Sequence, residues 1–227
     1  MTKIVVFSGA GMSAESGLKT FRDNDGLWEN YKVEEVATPQ AWKANPGMVL
    51  HFYNLRRRQL FQAKPNAAHY LISKLEREYD VTVITQNIDN LHEQAGSSKV
   101  LHLHGELKKV KSEKFENLIY DWPKPDLILG DLCEKGTQLR PHVVWFGEEV
   151  PMMGEALRLA HEAEILIVIG TSLNVYPAAN IAFSVGANCL KYLIDPNPPE
   201  LNNTANLTII KAGAEEGLTI LLKKIMT

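Results

Sequence analysis

Short apolar runs alternate with longer amphipathic stretches along most of this chain. Ile4–Phe7, Val81–Ile84 and Ile165–Ile169 are unbroken apolar segments, which suits strands covered on both faces rather than half-solvated ones. The pattern predicts strands at about 3–8, 81–85, 100–103, 165–169, 190–194 and 207–210. Helical spacing predicts helices at about 14–18, 40–61, 66–78, 154–163, 177–186 and 214–225, with Pro177 in a first helical turn, where its missing N–H costs little. Strands alternating with helices indicate an α/β fold, a parallel sheet with helices on both faces.

Two segments interrupt that rhythm. Residues 30–60 are helical but lie between the first two strands. Residues 107–140 read as irregular, with Pro123, Pro125, Gly130 and Gly136 among charged positions. Together they predict a small module built from two insertions, about 30–60 and 107–140. The large part comprises about 1–29, 61–106 and 141–227. A cleft between the two is a favoured place for a ligand.

At 227 residues the chain is long enough for a substantial core. Lysine and arginine number 24 against 27 acids, a formal charge of −3, so no basic footprint for nucleic acid is present. No apolar run approaches the roughly 20 residues that span a bilayer. A strand beginning near residue 3 leaves no room for a secretory leader. Cys133 and Cys189 are the two cysteines, too few for a disulfide scaffold. The expectation is a cytoplasmic protein without membrane or nucleic-acid partners.

The chemistry concentrates at strand ends. Gly9, Ala10, Gly11, Ser13 and Ala14 follow the first strand with the G-x-G-x-x-G/A spacing, which either cradles a pyrophosphate or simply makes a tight strand-to-helix turn. A dehydrogenase would proceed to a second strand ending in an acid; here a polar loop, Thr20–Trp28, intervenes and carries Phe21 and Arg22. Thr85-Gln86-Asn87-Ile88-Asp89 follows the second strand and offers either cofactor contacts or a self-capped turn. In Leu101-His102-Leu103-His104-Gly105, alternation puts the leucines on one face and the histidines on the other. With the leucines in the core, both histidines face the cleft, and His104 at the ligand edge suits a general base. His51, His69, His92, His142 and His161 read as structural. Gly170-Thr171-Ser172 repeats the strand-end logic, as do Asp195 and Asn197, where Asp195 either holds a ribose hydroxyl or opens a proline-rich turn. Val143–Glu148 is simple core or an open edge that pairs with an extended peptide.

The ordered set Gly9–Ser13, Phe21-Arg22, Thr85–Asp89, His102–Glu106, Arg140-Pro141, Phe146–Glu148 and Gly170–Leu173 resembles the sirtuins, the NAD-dependent protein lysine deacylases. The matches cover most of the chain. The resemblance implies a Rossmann-like parallel sheet plus a small module, with NAD, which is consumed, and an acyl-lysine peptide as partner substrate entering the cleft from opposite sides. The products are then nicotinamide, free lysine and O-acyl-ADP-ribose. His104 is implied as the base that activates a ribose hydroxyl, with Asn87 and Asp89 as the other catalytic residues. Gln86, Ile88, Ser13, Phe21, Arg22, Gly170–Ser172, Asp195, Asn197 and Ala214 are implied around the cofactor. Val144, Phe146 and Gly147, with Leu173 and Val175, are implied as the two edges that sandwich the peptide.

Tyr53 and Arg56, three apart on a predicted helix, share a face, and a phenol beside a guanidinium suits a carboxylate. The pair resembles the feature of sirtuins that remove succinyl and malonyl groups; the alternative places Arg56 on a solvated arginine face above a packed Tyr53. The chain departs from the family in the small module. Most members bind a structural zinc there through four cysteines, whereas 107–140 has Cys133 alone and no histidine. No zinc is expected; Trp122, Phe115, Tyr120, Leu127, Ile128 and Leu129 are expected to form an apolar plug instead. Asp195 is a second departure, since many members have asparagine near the adenosine ribose. Rival readings are a mono-ADP-ribosyltransferase and a non-catalytic NAD or ADP-ribose sensor; His104 and the Val143–Phe146 edge favour deacylation, and a dehydrogenase ranks last.

Overall fold

The computed structural model describes residues 1–18, 31–199 and 204–225; Phe21 and Arg22 lie outside them. Six strands form one parallel sheet: β1 (Lys3–Ser8), β2 (Asp80–Thr85), β3 (Val100–His102), β7 (Ile165–Ile169), β8 (Leu190–Ile194) and β9 (Leu207–Ile210). Their order is β3-β2-β1-β7-β8-β9. The order reverses direction between β1 and β7, and in open parallel sheets the crevice at the carboxyl ends of such a pair is where ligands bind.

Side-chain alternation in the strands builds a core on each face. Ile4, Val6, Val81, Val83, Ile165 and Ile167 pack toward α4 (Ala67–Leu75) and α7 (Ala214–Ile225). Val5, Phe7, Ile84, Leu166 and Val168 face α6 (Met153–His161) and a 3-10 helix at Ala178–Phe183. The 3-10 segment replaces the expected α-helix at 177–186, and a second one, Ala10–Ser16, replaces that at 14–18.

The predicted helix 40–61 is two helices. Pro46 lacks the N–H that continuity requires, and the Asn45 side chain caps Met48 N at 3.0 Å, so α2 (Pro39–Ala44) ends and α3 (Pro46–Gln62) begins. Ahead of them is the short α1 (Val33–Val36), and a single-turn α5 (Leu91–Gln94) follows β2.

Residues 107–140 are not irregular. An antiparallel sheet of β4 (Gly105–Ser112), β5 (Ile119–Asp121) and β6 (Leu139–Val143), in the order β5-β4-β6, forms the small module's second layer. Its alternation is obscured in the sequence because Lys108, Lys109 and Lys111 interleave the buried Leu107 and Val110. Phe115, Tyr120, Trp122 and Leu127 do cluster with Leu50 and Val110. Ile128 and Leu129 do not join them; they are 60% and 56% exposed.

Three consecutive arginines on α3 have three different fates. Arg57 is wholly buried, donating from Nε to Leu107 O and from Nη1 to Asn54 Oδ1, each at 2.9 Å. Asn54 in turn exchanges two hydrogen bonds with the Leu127 backbone, so helix and sheet are tied by a polar knot inside an apolar module. Arg58 pairs bidentately with Asp126 at the surface. Arg56 faces the cavity between the two parts of the fold. No helix among the described residues is long and apolar enough to cross a membrane.

Candidate active site

A cavity of about 850 Å³ opens where the carboxyl ends of β1, β2, β7 and β8 meet the small module. Its floor is the crossing of two glycine turns. Gly9 N donates to Ile169 O and Gly11 N to Gly170 O, so these N–H groups close the sheet end and are not free donors. The glycines serve close approach instead: a Cβ on Gly9 would sit 2.7 Å from Gly170 O, and one on Gly170, at φ +62°, 2.3 Å from Met12 N. Ala10, Ser172 and Ala214, the first residue of α7, complete this end of the cavity. A flat pyrophosphate-bearing ligand fits such a cradle because nothing larger than hydrogen projects from its glycines.

Asn87, Ser13 and Asp89 form a linked set on the cavity wall. Asn87 Nδ2 donates to Gly9 O and to Ser13 Oγ, and Ser13 Oγ donates to Asp89 Oδ2 at 2.9 Å. Burial raises the Asp89 carboxyl, opposed by hydrogen bonds from Leu91 N and Ser13. Ile88 lies between them on the same wall. Gln86 Nε2 reaches across to Thr171 Oγ1 at 3.1 Å. Asp195 and Asn197 line the far side, and Asp195 Oδ1 accepts from Asn197 N; the turn and the cavity thus share one carboxylate.

The two histidines of the LHLH segment part company. Strand β3 ends at His102, whose ring lies away from the cavity: Nε2 is 2.7 Å from Glu93 Oε1 and Nδ1 is 3.2 Å from Asn87 O. Burial disfavours its charge, but the Glu93 carboxylate outweighs this and raises its pKa. His104, in the turn after the strand, lines the cavity. Its Nδ1 donates to Gln86 O at 3.0 Å, which leaves Nε2 as the acceptor nitrogen of a neutral ring. Burial lowers its pKa against that hydrogen bond. A neutral, oriented imidazole is the state a general base requires.

Across the cavity, β6 stops at Val143 and Val144–Gly147 continues as a loop, not as an open strand. Val144 N donates to His104 O and Phe146 N to Ala37 O. Val144, Phe146, Gly147 and Val175 line the cavity. Leu173 does not: its side chain turns into the core beneath β7, because the left-handed backbone at Leu173 (φ 57°) reverses the chain there. Tyr53 is buried, 1% exposed, and accepts a hydrogen bond from Trp145 Nε1 at 3.1 Å.

Sequence reasoning missed the polar chain behind this wall. Ser8 Oγ donates to Thr85 Oγ1 and contacts His92 Nε2, Thr85 Oγ1 accepts from Asn87 N, and the His92 ring meets His69 at 4.8 Å between centroids. The available signal was a hydroxyl residue at the end of each of two adjacent predicted strands; Ser8 and Thr85 are register partners. Also missed was the ion pair of Arg140 with Glu148, which accepts from Trp145 N.

The family's structural zinc would need four thiolate or imidazole donors in the module. The set here does not fit: Cys133 Sγ neighbours Thr137 Oγ1 at 3.1 Å, and Thr137 Oγ1 is 2.7 Å from Ser112 Oγ. Cys189 belongs to the core of the large sheet.

Residues 9–177 match the Sir2 family model. A Helicobacter pylori NAD-dependent protein deacylase is 53% identical, with 100% of this chain and 98% of the relative covered. A Bacteroides thetaiotaomicron protein of the same description is 49% identical, covering 96% and 95%. Among solved structures, a Sir2 homologue in complex with NAD superposes with a TM-score of 0.89 at 39% identity, covering 99% of this chain and 89% of the other. A Sir2 complex with a p53 peptide and NAD superposes with a TM-score of 0.80 at 29% identity, covering 98% and 93%.

Proposed function

The chain belongs to the Sir2 family and is an NAD-dependent protein deacylase, and we propose that its acyl pocket is built for succinyl- and malonyl-lysine. NAD supplies the ADP-ribose that accepts the acyl group and the nicotinamide that leaves. In this reading His104 Nε2 takes the proton of a ribose hydroxyl, its ring held by the Gln86 carbonyl. Asn87 and Asp89, coupled through Ser13, orient the nicotinamide end of the cavity, while Gly9–Gly11, Gly170–Ser172, Asp195, Asn197 and Ala214 hold the rest of the cofactor. Val144, Phe146 and Gly147 on one side and Val175 on the other receive the peptide. The small module keeps its order without zinc, and the enzyme works on cytoplasmic proteins.

The observation that supports the acyl preference is the placement of a guanidinium and a phenol on one cavity wall. Arg56 and Tyr53, one helical turn apart on α3, both line the cavity, and the Tyr53 phenol is 1% exposed. A half-buried Arg56 on the cavity wall favours this reading over a fully solvated arginine face. A guanidinium and a phenol in an apolar recess bind a carboxylate far better than a methyl group.

The test compares nicotinamide release from succinyl-, malonyl- and acetyl-lysine forms of one peptide, in the wild type and in Arg56→Met. The wild type is expected to favour the acidic acyl groups. Removing one side of a buried charge pair costs about 3–5 kcal/mol, so the succinyl-to-acetyl ratio of kcat/KM should fall by about a hundredfold or more. An unchanged ratio would sink the assignment.

A further inference from the structure

A tyrosine hydroxyl has two hydrogen-bonding roles in the plane of its ring, one as acceptor and one as donor. At Tyr53 the accepting role is taken. The Trp145 indole, which can only donate, points its N–H at the Tyr53 oxygen at 3.1 Å. The Tyr53 hydrogen therefore cannot rotate toward the indole, where two hydrogens would collide, and is held in the opposite in-plane direction. Among the described residues no acceptor takes it. The phenol is 1% exposed and lines the same cavity as Arg56.

Trp145 is itself held by its backbone and by its ring. Its backbone N–H donates to Glu148 Oε2 at 2.8 Å. The Arg140 guanidinium carbon lies 3.3 Å from the indole centroid. Arg140 grips the same Glu148 with both terminal nitrogens, at 2.7 and 3.0 Å. Stacking under a guanidinium that is itself locked to a carboxylate leaves the indole little freedom.

We infer that Trp145 is a specificity-positioning residue, whose indole N–H fixes the Tyr53 hydroxyl as a hydrogen-bond donor toward a carboxylate held by Arg56. This rests on the acidic-acyl reading above and adds a physical reason for Tyr53's part in it. A freely rotating phenol would accept or donate equally and would lose rotational freedom on binding a carboxylate; a preset donor does not. The same residue lies between Val144 and Phe146, so the peptide loop and the acyl recess are set by one side chain.

The experiment is a double-mutant cycle of Trp145→Phe and Tyr53→Phe, read as the succinyl-to-acetyl ratio of kcat/KM. Trp145→Phe should lower that ratio about five- to tenfold, the scale of one neutral hydrogen bond, chiefly through KM for the succinyl peptide. In the Tyr53→Phe background, Trp145→Phe should add nothing further. Independent, multiplicative losses would overturn the role of Trp145, as would an unaltered ratio in Trp145→Phe. A wild type without preference for succinyl over acetyl would instead remove the reading on which the inference rests. Should Trp145→Phe fail to fold, the ¹⁵N-indole spectrum decides: the Trp145 N–H signal should move on Tyr53→Phe, and an unmoved signal would overturn the assignment.

Discussion

Arg57 donates to the carbonyl of Leu107 at 2.9 Å from a position with no solvent exposure. Burial lowers its pKa to about 10, still well above neutral, so the module encloses a charged guanidinium. The cost is offset by carbonyl and amide acceptors, Leu107 O and Asn54 Oδ1. Replacing Arg57 with methionine strands both acceptors and should destabilise the protein by about 2–5 kcal/mol. Thermal unfolding should show a Tm drop of about 5–15 °C; a drop below about 2 °C would refute the role of this knot.

Chelation should leave the same module intact. Extended dialysis against a chelator is expected to change neither Tm nor deacylation, and metal analysis should find less than about a tenth of an equivalent of zinc. Ser112, Cys133 and Thr137 bond to one another in a way that does not make a tetrahedral thiolate site.

The pH–rate profile should report His104. Its pKa lies below the ordinary 6.5, because burial disfavours the imidazolium. The ring is then neutral at pH 7, and kcat/KM for the acyl peptide should fall only on the acid side, with an inflection below 6.5. His104→Ala should remove about 10²–10⁴ of the rate, the usual weight of a general base, while NAD binding persists in calorimetry. An acid limb centred above 6.5 would count against His104 and toward another group.

Acid should also unfold the protein early. His69 is lowered to about 4 and His92 well below 6.5, both mainly by burial. Between pH 6.5 and about 4 the unfolded chain binds protons that the folded rings refuse, so stability falls as pH falls through that window. His69 alone accounts for roughly 3 kcal/mol. Denaturation midpoints measured from pH 7 to pH 4.5 should decline steeply, and the slope should be shallower in His69→Gln. A flat profile would show that these rings titrate freely.

Gly170→Ala should fail at both levels of structure. The left-handed backbone costs a non-glycine residue roughly 1–2 kcal/mol, and the added carbon would lie 2.3 Å from Met12 N. Lower expression or Tm, together with at least a tenfold rise in KM for NAD, is the expected result. A variant that binds NAD normally would show that the crossing has room to relax.

The large sheet was legible in the sequence because its strands are apolar on both sides and its turns are glycine-rich; all six appear within about a residue of the expected bounds. The small sheet was not, because its residues pair antiparallel on a half-polar surface, where lysines between buried positions mimic a loop. Gln86, Asn87, Asp89, His104 and Gly170–Ser172 were nameable from strand-end chemistry and Ser13, Val144, Val175 and Ala214 through the family resemblance, yet the fate of each was not. His102 and His104 differ through Glu93, a neighbour on another element. Leu173 is diverted by a backbone dihedral that a single sequence does not display. The Val143–Glu148 run reads in sequence as core or as a peptide-pairing edge, and neither shows that the Trp145 indole N–H meets Tyr53 from another element.

Strand β1 sits at the centre of the sheet, with Ile4 beside Val81 on one side and Ile165 on the other. During synthesis this largely apolar strand is made before its partners and is paired on its second edge only after the last third of the chain has begun to emerge. Until then its open edge is a template for wrong partners, since contacts so distant in sequence close slowly. Refolding yield should therefore depend on protein concentration more than on the small module, whose β4 and β5 are near neighbours in sequence. The same central placement that brings Gly9 against Gly170 makes the birth of this enzyme its most exposed moment.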